Sequence, residues 1–434
     1  MAADASLFAP EFKEAPYWWE AAPRPLLPER PLPARTDVAI VGSGHTGLVA
    51  ALTLARAGRR VAVFEAGDPG QGASSRNAGY VGRSLKHGFG ELMERHGLDR
   101  AIAVYRDMRA AFDALFELVE QEQIDCRLVH CGRFVGALSP RHYEAMAREY
   151  ALRERHLGEP FEMLPRAQQH RELGSDHYQG GALIPDHGSL HPGLYHLGLL
   201  DRALAAGVAV HGRTPVTGIR RETDGFTLAT GRGAVAAREV LVATNGYTDR
   251  ATPWLRRRLI PFHGYMVATE PLAPARIDRV LPRARTVIEF THNIFFLRRS
   301  PDGTRLLFGG YTGGPTADLK RKAARLHAAF ARVLPDLADV KLTHAWTGKC
   351  AATFDLYPHI GTEDGLHYAL GYCFAGVPMG TWLGRQAARR ILGAPQAATA
   401  FDAMPFRTMP LYRGDPWFVP LVMAYYDWQD RRSL

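Results

Sequence analysis

Four cysteines in 434 residues, Cys126, Cys131, Cys350 and Cys373, are too few and too scattered for a disulfide framework. None forms a CxxC pair, so structural zinc is not expected. His187 and His191 stand four apart but run straight into a proline, and no metal site is expected there either. No apolar run approaches the roughly 20 residues needed to cross a bilayer. The opening MAADASLFAPEF lacks the cationic and apolar regions of a secretory leader. A cytoplasmic protein without membrane insertion is the expectation. Long basic tracts are absent too. The net charge is +9, yet the arginines are dispersed, the densest clusters being RRR at 256–258 and RRSPDGTR at 298–305. A solvated basic surface is expected rather than a nucleic-acid partner. There is no internal repeat and no low-complexity tract, and nothing in the composition indicates an oligomeric state.

What is present is an ordinary globular composition, 46% apolar and 22% charged, long enough for two cores. Residues 1–35 form a proline-rich arm with two tryptophans, expected to lie extended over a body. From Thr36 the pattern turns regular: the apolar run DVAIVG, a glycine turn, the helical GLVAALTLARAG and a second apolar run RVAVFEAG make one βαβ unit. Helical spacing returns over 90–125 and near 317–333. Short β-prone runs between 258 and 312 predict an antiparallel sheet. The fold class expected is α/β with an α+β second domain: a Rossmann-like nucleotide-binding domain and an antiparallel-sheet substrate domain. Both are discontinuous, the first over 36–92, 181–257 and 345–400, the second over 93–180 and 258–344. The tail 401–434, rich in aromatics, is expected to pack on the body.

Gly42, Gly44 and Gly47 in VAIVGSGHTGL fit G-x-G-x-x-G between a strand and a helix, the context that motif needs. The first glycine turns the chain, the second lets backbone approach a pyrophosphate, and the third allows close helix packing. Ser43 and Thr46 lie in the same turn. Glu65, 23 residues after Gly42, ends the second strand, where a carboxylate accepts from ribose hydroxyls and repels a 2′-phosphate. A dinucleotide other than NADP is expected.

The following stretch, GDPGQGASSRNAGYVGRS, is suited to a second length of phosphate and ribityl chain. With it the sequence resembles the FAD-dependent amine and amino-acid oxidoreductases of the D-amino-acid oxidase superfamily, which include glycine, sarcosine and gamma-glutamylputrescine oxidases, and is most similar to the last. The family's G-A-S-x-R-N-x-G matches Gly72, Ala73, Ser74, Arg76, Asn77 and Gly79. The resemblance implies FAD held by these residues together with Ala66, Ala78 and Val216, by Ala243, Thr244 and Gly246 of VLVATNGYT, and by Gly376, Val377, Met379, Gly380 and Thr381 of a late helix.

The activity implied is removal of hydride equivalents from a C–N bond of an amine or N-substituted amino acid to flavin N5, with hydrolysis of the imine. Oxygen is the expected acceptor, giving H2O2. A dehydrogenase serving a quinone or carrier protein, and a non-catalytic flavin-binding partner, are the alternatives. His263, Tyr265, Phe296, Arg298 and Tyr311 are candidate pocket residues. Where sarcosine oxidase carries a lysine linked to oxygen this chain has Leu307, so Lys349 is the candidate to stand near the flavin, and Pro378 replaces that enzyme's carboxylate-binding lysine. Cys350, Thr353 and His359 repeat the spacing around sarcosine oxidase's flavin-bonded cysteine. Two readings stay open: covalent attachment at Cys350, or a buried cysteine acting as a small apolar residue.

Overall fold

The computed structural model describes residues 5–402 and 404–432. One of its two large sheets has eight strands and a parallel centre, with Ala209–His211, Val61–Phe64, Arg35–Val41, Gly233–Val242 and Leu366–Leu370 side by side. Strands covered on both faces carry consecutive apolar residues, and Val61–Phe64 is buried at all four positions. Val216–Glu222 and Gly225–Thr230 extend the edge through the first half of Gly233–Val242. Helices His45–Arg56, Leu98–Gln121 and Gly376–Ile391 share one core with this sheet. The helical stretch expected over 90–125 is two helices, Phe89–His96 and Leu98–Gln121, broken at Gly97 with φ +82°.

The second sheet has nine strands, and its central Leu342–Thr353, Leu259–Thr269 and Leu306–Gly313 pair antiparallel. Phe296–Arg299 and Thr286–Glu289 continue that pattern, as the sequence between 258 and 312 predicts. Two pairings are parallel instead: Phe8–Lys13 beside Leu342–Thr353, and Thr286–Glu289 beside Arg133–Gly136. Helix Leu319–Val333 packs its apolar stripe on the sheet, with the Asp318 carboxylate accepting from the Arg321 N–H at its start.

Four segments fall differently from the sequence reading. Helix Leu98–Gln121, expected in the substrate domain, packs in the core of the eight-stranded sheet, and Leu342–Thr353, most of it expected in the nucleotide-binding domain from 345, is a central strand of the nine-stranded sheet. Gly180–Ile184, most of which lies past the expected boundary at 181, pairs on both sides within the nine-stranded sheet. The N-terminal arm is not merely draped: Phe8–Lys13 is an edge strand, and Trp18 is wholly buried against Trp346 and His191. That burial contributes roughly 2–3 kcal/mol, less the cost of its unpartnered indole N–H. The tail runs into helix Val419–Arg432, which stacks Tyr426 on His292 and leaves Leu421 and Tyr425 exposed, as is Trp417 just before it. It packs along one face only. Among the described residues no helix is long and apolar enough to cross a membrane.

Candidate active site

The glycine turn closes as its spacing predicts. Gly42 sits at φ +102°, where a Cβ would also lie 3.0 Å from the Ala243 carbonyl oxygen. A Cβ on Gly47 would fall 2.0 Å from the Gly42 oxygen, so helix His45–Arg56 seats directly on the strand. Gly44 begins that helix without a side-chain cap, and the Ser74 hydroxyl accepts the His45 N–H at 3.0 Å. Glu65 accepts from the Ser43 N–H at 2.9 Å, the Ser43 hydroxyl at 2.7 Å and the Gly67 N–H at 3.2 Å. Charge-assisted bonds of this kind contribute about 1.5–3 kcal/mol each and fix the carboxylate at the turn.

This turn opens into a cavity of about 650 Å³ that continues to the nine-stranded sheet. Its wall includes Gly42, Gly44, Thr46, Glu65 and Ala66, then Ser74, Arg76, Asn77 and Ala78. Val216, Ala243, Thr244, Gly376, Val377 and Cys350 complete the expected cofactor side. Seven expected residues stand behind the wall. Ser43 is turned to Glu65, and Gly47 is pressed on Gly42. Gly79 and Gly246 leave room for the backbone oxygens of Leu190 and Cys350, 2.2 and 2.5 Å from where a Cβ would be. Met379 is buried in the core, Gly380 abuts Thr46, and the Thr381 hydroxyl bonds to that of Tyr195 at 2.7 Å.

The arm braces this wall from outside. The Trp19 indole donates to the Ser75 hydroxyl at 2.8 Å, and the Arg76 guanidinium lies 4.5 Å from the centre of the Trp19 ring. Arg76 also donates to the Thr347 oxygen, and the Trp346 indole to the Arg76 oxygen. His191, set aside as a metal ligand, has a definite role: its Nδ1 accepts the Leu194 N–H and caps helix Pro192–Ala205.

On the far side, His263, Tyr265, Phe296 and Lys349 line the cavity, whereas Arg298 and Tyr311 do not. Arg298 is buried and donates to the carbonyls of Ala78, Gly79 and Leu190, so its guanidinium is spent pinning the 78–79 turn. Tyr311 packs edge-on to Phe295 at 5.0 Å, with Arg325 over its ring. His263 Nδ1 is 3.2 Å from the Thr347 hydroxyl, which itself donates to the Gly264 oxygen. That hydroxyl therefore accepts from Nδ1–H, leaving His263 Nε2 with a free lone pair. Burial and the nearby Lys349 charge lower the His263 pKa, so the ring is neutral at pH 7.

Sequence patterns missed Lys86, Arg133, His292 and Ile294, all in the cavity wall. For Lys86 the available signal was its closeness to the glycine-rich 72–79 block; the others arrive through sheet pairing. The Lys86 ammonium lies 4.8 Å from the Phe374 ring centre and 3.5 Å from the His292 carbonyl oxygen. Burial lowers its pKa. It makes no ion pair among the described residues. Its loop is anchored by Arg83, which donates to Glu159 at 2.8 Å and to both oxygens of Asp186, while Glu159 also takes Arg153. Removing one member of such a buried cluster costs about 3–5 kcal/mol.

Cys350 lines the cavity, but burial pushes its thiol up to about 12. Its spacing partners are turned elsewhere: the Thr353 hydroxyl donates to the Tyr357 oxygen, and His359 pairs with Asp355 and stacks on Phe406.

The arrangement fits a flavin dinucleotide. Two helices, His45–Arg56 and Gly376–Ile391, begin at the cavity without a cap from their own N-cap residues, so their positive partial charge faces one space, although Ser74 takes the His45 N–H. Side-chain-free glycines let the backbone approach a ligand, and the Glu65 carboxylate lies in the wall beside the turn. The sequence model of the FAD dependent oxidoreductase family matches residues 37–390. The chain belongs to that family. The gamma-glutamylputrescine oxidoreductase of Escherichia coli K12 is 30% identical over 403 residues, covering 91% of this chain and 93% of that one. The probable oxidoreductase OrdL of Rhizobium meliloti is 29% identical over 429 residues, 95% and 97% of the two chains. Among solved structures, glycine oxidase from Geobacillus kaustophilus superposes with a TM-score of 0.73 at 27% identity, covering 87% of this chain and 99% of that one. The protein is an FAD-dependent oxidoreductase of mixed α/β fold.

Proposed function

We propose that this oxidoreductase acts on the C–N bond of a primary or secondary amine or an N-substituted amino acid. The eight-stranded sheet and its helices form the FAD-binding part; the nine-stranded sheet forms the substrate part. The observation that carries this reading is the continuity of one cavity from the Glu65 end to a wall of Tyr265, Met266, Ile288, Ile294 and Phe296. When bound, FAD supplies the acceptor for the two electrons and the hydrogen leaving carbon. The apolar wall excludes water from the reacting bond. His263, neutral and with Nε2 free, accepts the proton that converts a substrate ammonium to the reactive amine. The uncapped helix start at Ala375–Pro378 places positive partial charge where negative charge is to be stabilised. Lys86 offers a cation to an anionic group on the substrate. The relatives named for gamma-glutamylputrescine and glycine support an amine or amino-acid substrate.

FAD is held without a covalent bond: a thiol with a pKa near 12 supplies almost no thiolate at neutral pH. The electrons go to O2. The deciding experiment is anaerobic mixing of the yellow protein with a library of amines and amino acids, followed by admission of air. Bleaching, then recovery of colour with stoichiometric H2O2, is expected. Bleaching with fast dye reduction but no peroxide reverses the acceptor assignment, and a flavin that no amine bleaches refutes the reaction.

A further inference from the structure

The turn that carries His292 into the cavity wall has little backbone pairing of its own. It links strands Thr286–Glu289 and Phe296–Arg299, and its last bonds to the sheet are those of the Glu289 and Phe290 N–H groups, to the Phe295 and Gly136 oxygens. Beyond them the turn is held by residues distant in sequence. The Asp430 carboxylate accepts the His292 N–H at 3.1 and 3.2 Å, the Asn293 N–H at 3.2 Å and a bond with His292 Nδ1 at 2.8 Å. Asp427, one turn earlier on the same helix, accepts from the Asn293 amide at 3.0 Å. Tyr426 stacks on His292 at 4.9 Å with an interplanar angle of 11°. The other end of the Asn293 amide accepts the Thr312 N–H at 3.4 Å, so the grip extends to another cavity residue. His292, Ile294 and Thr312 line the cavity, and the His292 carbonyl accepts from the Lys86 ammonium at 3.5 Å.

We propose that Asp430, backed by Asp427, is a positioning residue for substrate binding: the C-terminal helix sets the shape of the cavity wall at His292–Ile294 without touching the flavin. The physical basis is the demand of backbone donors. Two adjacent N–H groups, which a loop this irregular leaves without strand partners, are satisfied by one carboxylate whose charge strengthens every bond it accepts. Removing that charge weakens every bond and leaves one acceptor oxygen where there were two, and the turn relaxes toward solvent. No residue of the Gly42–Gly47 turn, and neither Glu65 nor the 72–79 block, shares a hydrogen bond with Asp430 or Asp427, so FAD retention is independent of the pair.

The inference rests on the amine-oxidising reading, and the test separates the two. With the holoenzyme and an amine that bleaches the wild-type flavin, anaerobic reduction rates are measured against amine concentration for Asp430→Asn, Asp430→Glu and Asp427→Asn. Asp430→Asn is expected to raise the half-saturating concentration about tenfold, with the limiting rate within about twofold and FAD content unchanged. Asp427→Asn is expected to raise it about threefold. Asp430→Glu, which keeps the charge, recovers most of the wild-type value. Half-saturation unchanged in Asp430→Asn overturns the inference while leaving the reaction standing. So does loss of FAD from that variant, which makes the helix a general support of the fold. A wild-type flavin that no amine bleaches overturns the reaction itself and the inference with it.

Discussion

The two ends of the cavity are built by opposite means. At the end proposed to hold the dinucleotide, the turn at Gly42–Gly47, Glu65 and the 72–79 block come from under 40 consecutive residues, and each contact is close to home: Ser43 to Glu65, His45 to Ser74. At the other end, the wall is gathered from Arg133, His263, His292, Thr312 and Thr347, brought together by the pairing of a nine-stranded sheet and a helix late in the chain, and from Lys86 on a loop anchored by Arg83. The first end is specified by backbone geometry that few residue types satisfy. The second is specified by position, and many side chains fit each place. Binding the cofactor is therefore expected to be intolerant of single changes, and binding the substrate to be graded.

The largest expected effect breaks the first end. A Cβ on Gly44 would already lie 2.9 Å from the Ser74 hydroxyl, at the uncapped start of the helix. Gly44→Val adds two methyl groups to that contact and fills space the backbone leaves for a pyrophosphate. FAD affinity is expected to fall at least about 100-fold, roughly 3 kcal/mol, so the variant purifies colourless. The ratio of absorbance at 280 nm to that of the flavin band measures it. A fully yellow Gly44→Val protein removes the basis for calling this end intolerant.

The second prediction concerns the stability of the other end. Glu289, beside Ile288 of the cavity wall, is buried and accepts from the Tyr178 hydroxyl at 3.1 Å. Burial raises its pKa from 4.5 to about 7. A carboxyl whose folded pKa lies above its unfolded value binds a proton more tightly when folded. Its contribution is thus fully present below about pH 4.5, declines as pH rises, and is lost above about pH 7. Glu289→Gln, which stays neutral and still accepts from Tyr178, is expected to gain on the wild type by about 2–3 kcal/mol between pH 5 and pH 8. Urea unfolding of both proteins at the two pH values measures the change; a pH-independent difference contradicts it.

A smaller effect is expected at Lys86. Lys86→Met keeps the chain length and the packing on Phe374 but removes the charge. The half-saturating concentration of an anionic substrate is expected to rise about tenfold, about 1.4 kcal/mol, with FAD content unchanged. A substrate without an anionic group is expected to be affected much less. Equal losses for both kinds of amine show that Lys86 acts by shape alone.

The same contrast explains what the sequence made legible. The parallel centre, the glycine turn and Glu65 are read directly, because one hydrophobic period and one spacing rule encode each of them. The antiparallel strands between 258 and 312 are legible as strands, yet alternation does not reveal partners, so Phe8–Lys13 and Gly180–Ile184 were not placed in that sheet. Arg298 shows the limit most clearly. An arginine in a β run reads equally as a ligand for a substrate anion or as a donor to backbone, and only the fold brings the three carbonyls that take it. Lys86 fails in the opposite sense: closeness to the 72–79 block is its one local signal, and that signal does not separate it from the other charged residues of a polar loop.

The smallest expected effect lies where the two ends meet. Strand Leu342–Thr353 belongs to the nine-stranded sheet, yet the Cys350 oxygen packs on Gly246, and Cys350 lines the shared cavity. Attack on a flavin carbon needs the thiolate, and burial beside Cys373 holds the thiol near pKa 12, about five units above neutral pH. Neither Thr353 nor His359 is turned to remove its proton. Acid precipitation of the wild type is therefore expected to leave the yellow colour in the supernatant. Cys350→Ser is expected to keep the same FAD content, with stability within about 1 kcal/mol, since the change is nearly isosteric and the hydroxyl has cavity space beside it. Colour retained in the wild-type pellet and released by Cys350→Ser gives the opposite result: a bond between cofactor and substrate sheet, and two ends of the cavity that are no longer independent.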